Sequence, residues 1–102
     1  MTINTFEDLV AVSAEEAMSK MLGRDVWKSI TFYFDIGTLA NQPEKFSSIM
    51  TKLFGATSKV LQNMIVETII SKLGTTAEPR NDREFKDWIQ FARAKFRTSL
   101  RF

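Results

Sequence analysis

The stretch Pro43-Glu44-Lys45-Phe46-Ser47-Ser48-Ile49-Met50-Thr51-Lys52-Leu53-Phe54-Gly55, with the apolar run that follows it to Leu73-Gly74, decides the fold. Pro43 suits a first helical position, where a missing N–H is not needed. Phe46, Ile49, Met50, Leu53 and Phe54 then recur at i, i+3, i+4, i+7 and i+8, the full template for a core-facing helical stripe. After Gly55, Thr57 or Ser58 is placed to cap a second helix. Its residues Val60, Leu61, Met64, Ile65, Val66, Ile69, Ile70 and Leu73 cover nearly the whole circumference. A helix apolar all round belongs in the middle of a domain or in an oligomer interface.

Working outward, Thr5-Phe6-Glu7-Asp8 offers a hydroxyl cap and acid in a first turn, followed by Leu9, Val12, Ala17, Met21 and Leu22 on one helical face up to Gly23. Asp25 is expected to cap a helix carrying Val26, Trp27, Ile30, Tyr33 and Phe34. The run Ile30–Phe34 would also suit a strand, but no second strand-like run exists to pair with it. Gly37 to Gln42 reads as a loop and Thr75 to Arg80 as a connector. Asn81 and Glu84 form a capping pair for a last helix with Phe85, Trp88, Ile89, Ala92 and Phe96 on one side. Lys20…Gly23, Lys52…Gly55 and Lys72…Gly74 repeat a punctuation rather than a module: a cation in the last turn, then glycine where the left-handed conformation is cheap. The expected architecture is all-α, a compact orthogonal bundle of about five helices in a single domain over residues 1–102.

Composition narrows the chemistry. With 44% hydrophobic residues in 102, the chain can bury a core, and it contains neither Cys nor His. Thiolate metal sites, disulfides, cysteine nucleophiles, imidazole bases and Ser–His pairs are therefore excluded. The carboxylates are dispersed: Glu15 and Glu16 point about 100° apart on a helix, and Asp35 and Glu44 flank a loop. Gly23-Arg24-Asp25 and Gly55-Ala56-Thr57-Ser58-Lys59 each enter a helix but lack the spacing and preceding strand of phosphate-cradling loops. Trp27, Trp88 and most of the Met residues occupy apolar phases and read as core. The expectation is a non-enzymatic protein that uses no cofactor. Met1 to Phe6 has no signal-peptide pattern, and no window approaches the roughly 20 apolar residues of a membrane span, so a cytoplasmic location is expected.

Charge is unevenly placed. Residues 1–79 hold seven basic and nine acidic side chains, whereas residues 80–102 hold seven basic and three acidic. On the last helix Lys86, Arg93 and Arg97 align in a basic stripe beside the apolar face, extended by Arg83, Lys95 and Arg101. Phe91 points away from the apolar centre as an exposed aromatic would. Such cations and rings could contact phosphates and bases, so Lys86, Arg93, Arg97 and Phe91 are the candidate surface for nucleic acid or a protein partner.

At Pro43-Glu44-Lys45-Phe46, Leu53-Phe54-Gly55, Lys59-Val60-Leu61 and Lys72-Leu73-Gly74 the chain resembles the nitrosopumilus-type output domains, small archaeal helical domains described as predicted output domains of signal-transduction proteins. The resemblance covers about residues 43–74, with weaker similarity around Trp27 to Phe34 and in the last helix. It implies a regulatory or interaction module and carries no catalytic residues. The partner expected first is a protein, including a second copy in a homodimer; the alternative is nucleic acid bound by the basic C-terminal helix.

Overall fold

The computed structural model describes residues 5–74 and 84–99, and among them it contains helices and no strand. Five α-helices follow one another: α1 (Phe6–Leu22), α2 (Arg24–Thr31), α3 (Pro43–Phe54), α4 (Thr57–Leu73) and α5 (Phe85–Ser99), with one 3₁₀ turn at Ile36–Thr38. The all-α bundle is as the sequence implies, and residues 25–36 form helix and turn rather than strand.

Helix ends explain themselves locally. Thr5 Oγ1 accepts from the Asp8 N–H at 3.1 Å, so α1 starts where a hydroxyl precedes two acids. Gly23 serves two helices at once: its N–H donates to Ser19 O at 3.0 Å, and its carbonyl accepts from the Trp27 N–H at 3.1 Å. Its φ of 92° lies where side chains are disfavoured, so a one-residue joint between α1 and α2 requires glycine. This corrects the expected cap, because Asp25 sits inside the first turn of α2, where its charge suits the dipole. Lys20, Lys52 and Lys72 do occupy last turns, ahead of Gly23, Gly55 and Gly74 at positive φ.

α2 is shorter than its apolar residues suggest. It stops at Thr31, whose hydroxyl donates to Lys28 O at 2.7 Å, and the chain leaves Phe32 and Tyr33 in solvent. Phe34 then turns inward onto Phe46, with ring centroids 5.4 Å apart. Asp35 Oδ1 accepts from the Gly37 N–H at 3.0 Å and starts the 3₁₀ turn, after which Leu39 and Ala40 are buried.

α3 begins at Pro43 as expected, and Phe46 and Met50 are fully buried. The predicted stripe is too wide, however: Ile49 and Phe54 are only partly covered and Leu53 is half exposed. α3 packs on α4 and α5, leaving its flank open. The start of α4 also differs from expectation. Its cap is Ala56 with no side-chain bond, and the Ser58 hydroxyl instead faces Thr51 Oγ1 at 3.3 Å. The Ser58 and Lys59 N–H groups donate to Gly55 O and Ala56 O, so the tight turn satisfies donors that a hydroxyl would otherwise take.

α4 is the central element, in contact with α1, α3 and α5. Leu61, Ile65, Val66, Ile69 and Ile70 are buried, but the circumference is not closed: Val60, Glu67 and Ser71 form an exposed strip. α5 buries Phe85, Trp88, Ile89 and Ala92. Phe96 is partly covered and lies 5.8 Å from Phe6. The Thr75–Arg80 connector and the Asn81 half of the capping pair lie outside the described residues. Glu84 is within them, and its carbonyl accepts from the Asp87 and Trp88 N–H groups.

Candidate functional site

The basic stripe of α5 divides into cations with different surroundings. Arg93 is spent on the fold. Its Nη2 donates to Ala40 O at 3.0 Å and to Asn41 Oδ1 at 2.9 Å, and its Nη1 lies 3.5 Å from Glu7 Oε1. Its guanidinium carbon stands 4.7 Å over the Phe6 ring. One side chain thus joins α5, α1 and the turn before α3, using the planar fork that only arginine has. Arg97 is exposed on the last turns of the helix.

Phe91 is not the exposed ring that its phase suggests. It is partly buried against the core and meets Trp88 edge-on, with centroids 5.6 Å apart and ring planes at 86°. The reason is helical geometry: residues at i and i+3 are surface neighbours, so a core Trp can shelter the ring beside it. Lys95 Nζ lies 5.6 Å from the Phe91 centroid. Arg83 and Arg101 fall outside the described residues.

Lys86 lines a cleft of about 720 Å³ between α3, α4 and the start of α5. Its ammonium is 3.5 Å from Glu84 Oε2. The Glu44 carboxylate across the cleft, and then Glu84, hold its pKa above the ordinary lysine value. Polar residues line most of it, with much of the wall made by their apolar stems and by Phe85: Ser47, Ser48, Thr51 and Lys52 come from α3, Ser58, Lys59, Gln62 and Asn63 from α4. Among the described residues no three His, Cys, Asp or Glu side chains are grouped to hold a metal ion. No helix there is long and apolar enough to cross a membrane.

A second surface is apolar. Val26, Ile30 and Tyr33 of α2 and its exit face Leu53 and Phe54 of α3 across a groove of about 200 Å³. Val26, Tyr33 and Leu53 are 44%, 76% and 50% exposed, and neighbouring Phe32 is 87% exposed. These residues were legible only as helix-face apolar positions. What distinguishes them is that α2 ends early and α3 lies at the edge of the bundle. Gln62 carried a readable signal, a carboxamide beside Asn63 between apolar residues of α4, whereas Glu7 and Asn41 had none. No family model matches the chain, and no curated protein or solved structure is significantly similar to it.

Proposed function

We propose that the chain is a non-enzymatic interaction module that docks a protein partner on the apolar groove between α2 and the end of α3. The observation that carries this reading is the grouping of Val26, Tyr33 and Leu53 around one groove with Phe32 beside it, four large apolar side chains that the fold leaves in water. Exposed apolar side chains gathered in one place mark interaction sites, whereas scattered ones do not. Nucleic acid ranks second, since Arg93 is already bonded within the fold and Lys86 stands among carboxylates. The resemblance at residues 43–74 supports the wider reading: a cytoplasmic regulatory component, an output module of archaeal signal transduction. A second copy of the chain is one such partner, giving a homodimer through the groove rather than through α4, which its neighbours largely cover.

The test is a pull-down from nuclease-treated native lysate with the parent and a Phe32→Ser, Tyr33→Ser, Leu53→Ser variant. Each position is at least half exposed, so each substitution should cost about 0.5 kcal/mol or less and the variant should melt within about 1.5 kcal/mol of the parent. A protein captured by the parent and lost by the variant is the expected result. Equal capture by both, or capture that disappears with nuclease alone, overturns the reading. Sedimentation at about 100 μM, well above a micromolar dissociation constant, reports the homodimer directly.

A further inference from the structure

Helix α2 has apolar residues on two sides. Trp27 and Ile30 are buried, and α2 packs on α1. Val26, Ser29, Ile30 and Tyr33 stand at i, i+3, i+4 and i+7, within about 100° of one another around the helix. That is the spacing of a seam that meets a second helix. All four line the apolar groove, with Leu53 and Phe54 of α3 as its far wall. The Ser29 hydroxyl donates to Asp25 O at 3.2 Å, so the small polar side chain of the seam is satisfied within its own helix. Tyr33 lies just past the end of α2, yet its N–H donates to Ile30 O at 2.9 Å, which keeps its backbone fixed to the last turn.

Size changes along this seam. Val26 and Ser29 at its start are small, whereas Ile30 and Tyr33 at its end are large. A helix laid on it fits when it sets large side chains against small ones, which is the reverse order. A second copy of α2 running antiparallel supplies that order by symmetry, because a twofold axis between Ser29 and Ile30 puts each Tyr33 over the other copy's Val26. Area sets the strength. Taking about 200 Å² for each ring, the exposed parts of Phe32 and Tyr33 come to about 300 Å², and Val26 with Leu53 bring the patch to about 450 Å². Two copies would cover about 900 Å², less than the roughly 1,200 Å² of stable complexes, so the pairing should be weak and reversible. A net charge of +2 per copy opposes it little.

We propose that the occupant of the groove is α2 of a second copy of this chain, antiparallel across a twofold axis, with each Tyr33 ring seated between Val26 and Leu53 of the other copy. This rests on the docking reading and names the partner. The groove of about 200 Å³ takes one such ring, whose hydroxyl stays at the wet rim. Ser29, small and near the axis, lets the two helices approach closely.

The experiment is sedimentation of the purified full chain from about 5 to about 500 μM, with an expected monomer–dimer dissociation constant of about 50 μM. Tyr33→Val removes the large partner and should weaken pairing at least about tenfold. Val26→Tyr sets large against large and should weaken it similarly, although it adds apolar surface. Combining the two substitutions restores large against small and should recover most of the affinity. Both positions are exposed, at 44% and 76%, so the variants keep the fold. A cross-link gives a reading independent of them: the chain has no Cys, so Ser29→Cys should form a disulfide-linked dimer on mild oxidation, whereas Val60→Cys on the exposed strip of α4 should not. The proposal is overturned by a monomer at about 500 μM, by tighter pairing in Val26→Tyr, by no recovery in the double variant, or by equal cross-linking at both cysteines. A monomer here leaves the docking reading standing, because capture of another protein from lysate does not depend on self-association.

Discussion

Lys86 and Arg93 stand about two turns apart on one side of α5, beside the same apolar face, and they do opposite things. Arg93 is held by Ala40 O, Asn41 and Glu7 over the Phe6 ring, and so fastens the two chain ends of the bundle to its middle turn. Lys86 pairs with Glu84, feels the Glu44 carboxylate, and otherwise looks into an open cleft. The difference teaches that a cation's role is set by what another element brings within reach. A helical phase places a side chain beside the core but does not say what stands opposite.

The comparison breaks first at its aromatic support. Phe6 is buried beneath Arg93 and against Phe96, so Phe6→Ala should cost about 3–5 kcal/mol in a denaturant melt. Ile65→Ala in α4 should fall in the same range, about 2–5 kcal/mol, because Ile65 is fully buried. A Phe6→Ala melt within 1 kcal/mol of the parent, or about a third of the lower bound, would show that the Arg93 end is not part of the core.

Next comes the cation itself. Arg93→Ala removes bonds to two neutral oxygens and a carboxylate, and hydrogen bonds from a charged group are worth about 1.5–3 kcal/mol, so a loss of about 2–3 kcal/mol is expected. Arg93→Lys should recover part of it, since a single ammonium cannot reproduce the fork. Lys86→Gln should leave the melt indistinguishable from that of an ordinary surface substitution. If the two positions give equal losses, the contrast between them is wrong.

Acidity sharpens the contrast with a known sign. The Lys86 pKa is raised by Glu44 and Glu84, so whatever stability the charge contributes is present below the ordinary lysine value of 10.5 and fades as pH rises past it. The parent-minus-Lys86→Gln difference should therefore stay constant from about pH 6 to about pH 9 and shrink above about pH 10.5. With no His in the chain, the parent's own stability should be nearly flat between about pH 6 and 8.

The smallest expected effect concerns nucleic acid. Three phosphate contacts from Lys86, Arg93 and Arg97 would give a log–log salt slope of about −2.7 on duplex DNA. With Arg93 held inside the fold, a binding titration should give no more than about −1.8 in magnitude, and Arg93→Gln should leave the slope unchanged. A slope near −2.7 that falls on that substitution would return Arg93 to the surface.

Much of the fold was legible in the residues alone because its signals are local. A hydroxyl three residues ahead of an N–H, a proline at a first position, a cation followed by glycine and apolar residues at helical spacing act within a turn or two of chain. α1, α3, α4 and α5 are where those signals put them, and Trp27 and Trp88 are core. The errors were also local in kind: at Asp25, Thr57 and Ser58 a residue able to cap was present, but a one-residue joint and a tight turn supplied the bonds from the backbone.

The candidate site was far less legible. The partners of Arg93 lie 86, 53 and 52 residues away, and no periodicity within a helix reports a neighbour at that distance. The same holds for Leu53, Val60 and Phe91. Each has an apolar side chain in a readable phase, but burial depends on whether another helix lies over that phase, and the packing of α3 and α4 leaves Leu53 and Val60 uncovered while Trp88 shelters Phe91. By itself the sequence determined which segments are helical, where they stop and which faces are apolar, because those follow from backbone bonding and side-chain spacing within one segment. Only the tertiary structure decided which cation is structural, which apolar residues meet water, and that Glu44, Gln62 and Lys52 share one cleft, because each depends on the approach of segments distant in the chain.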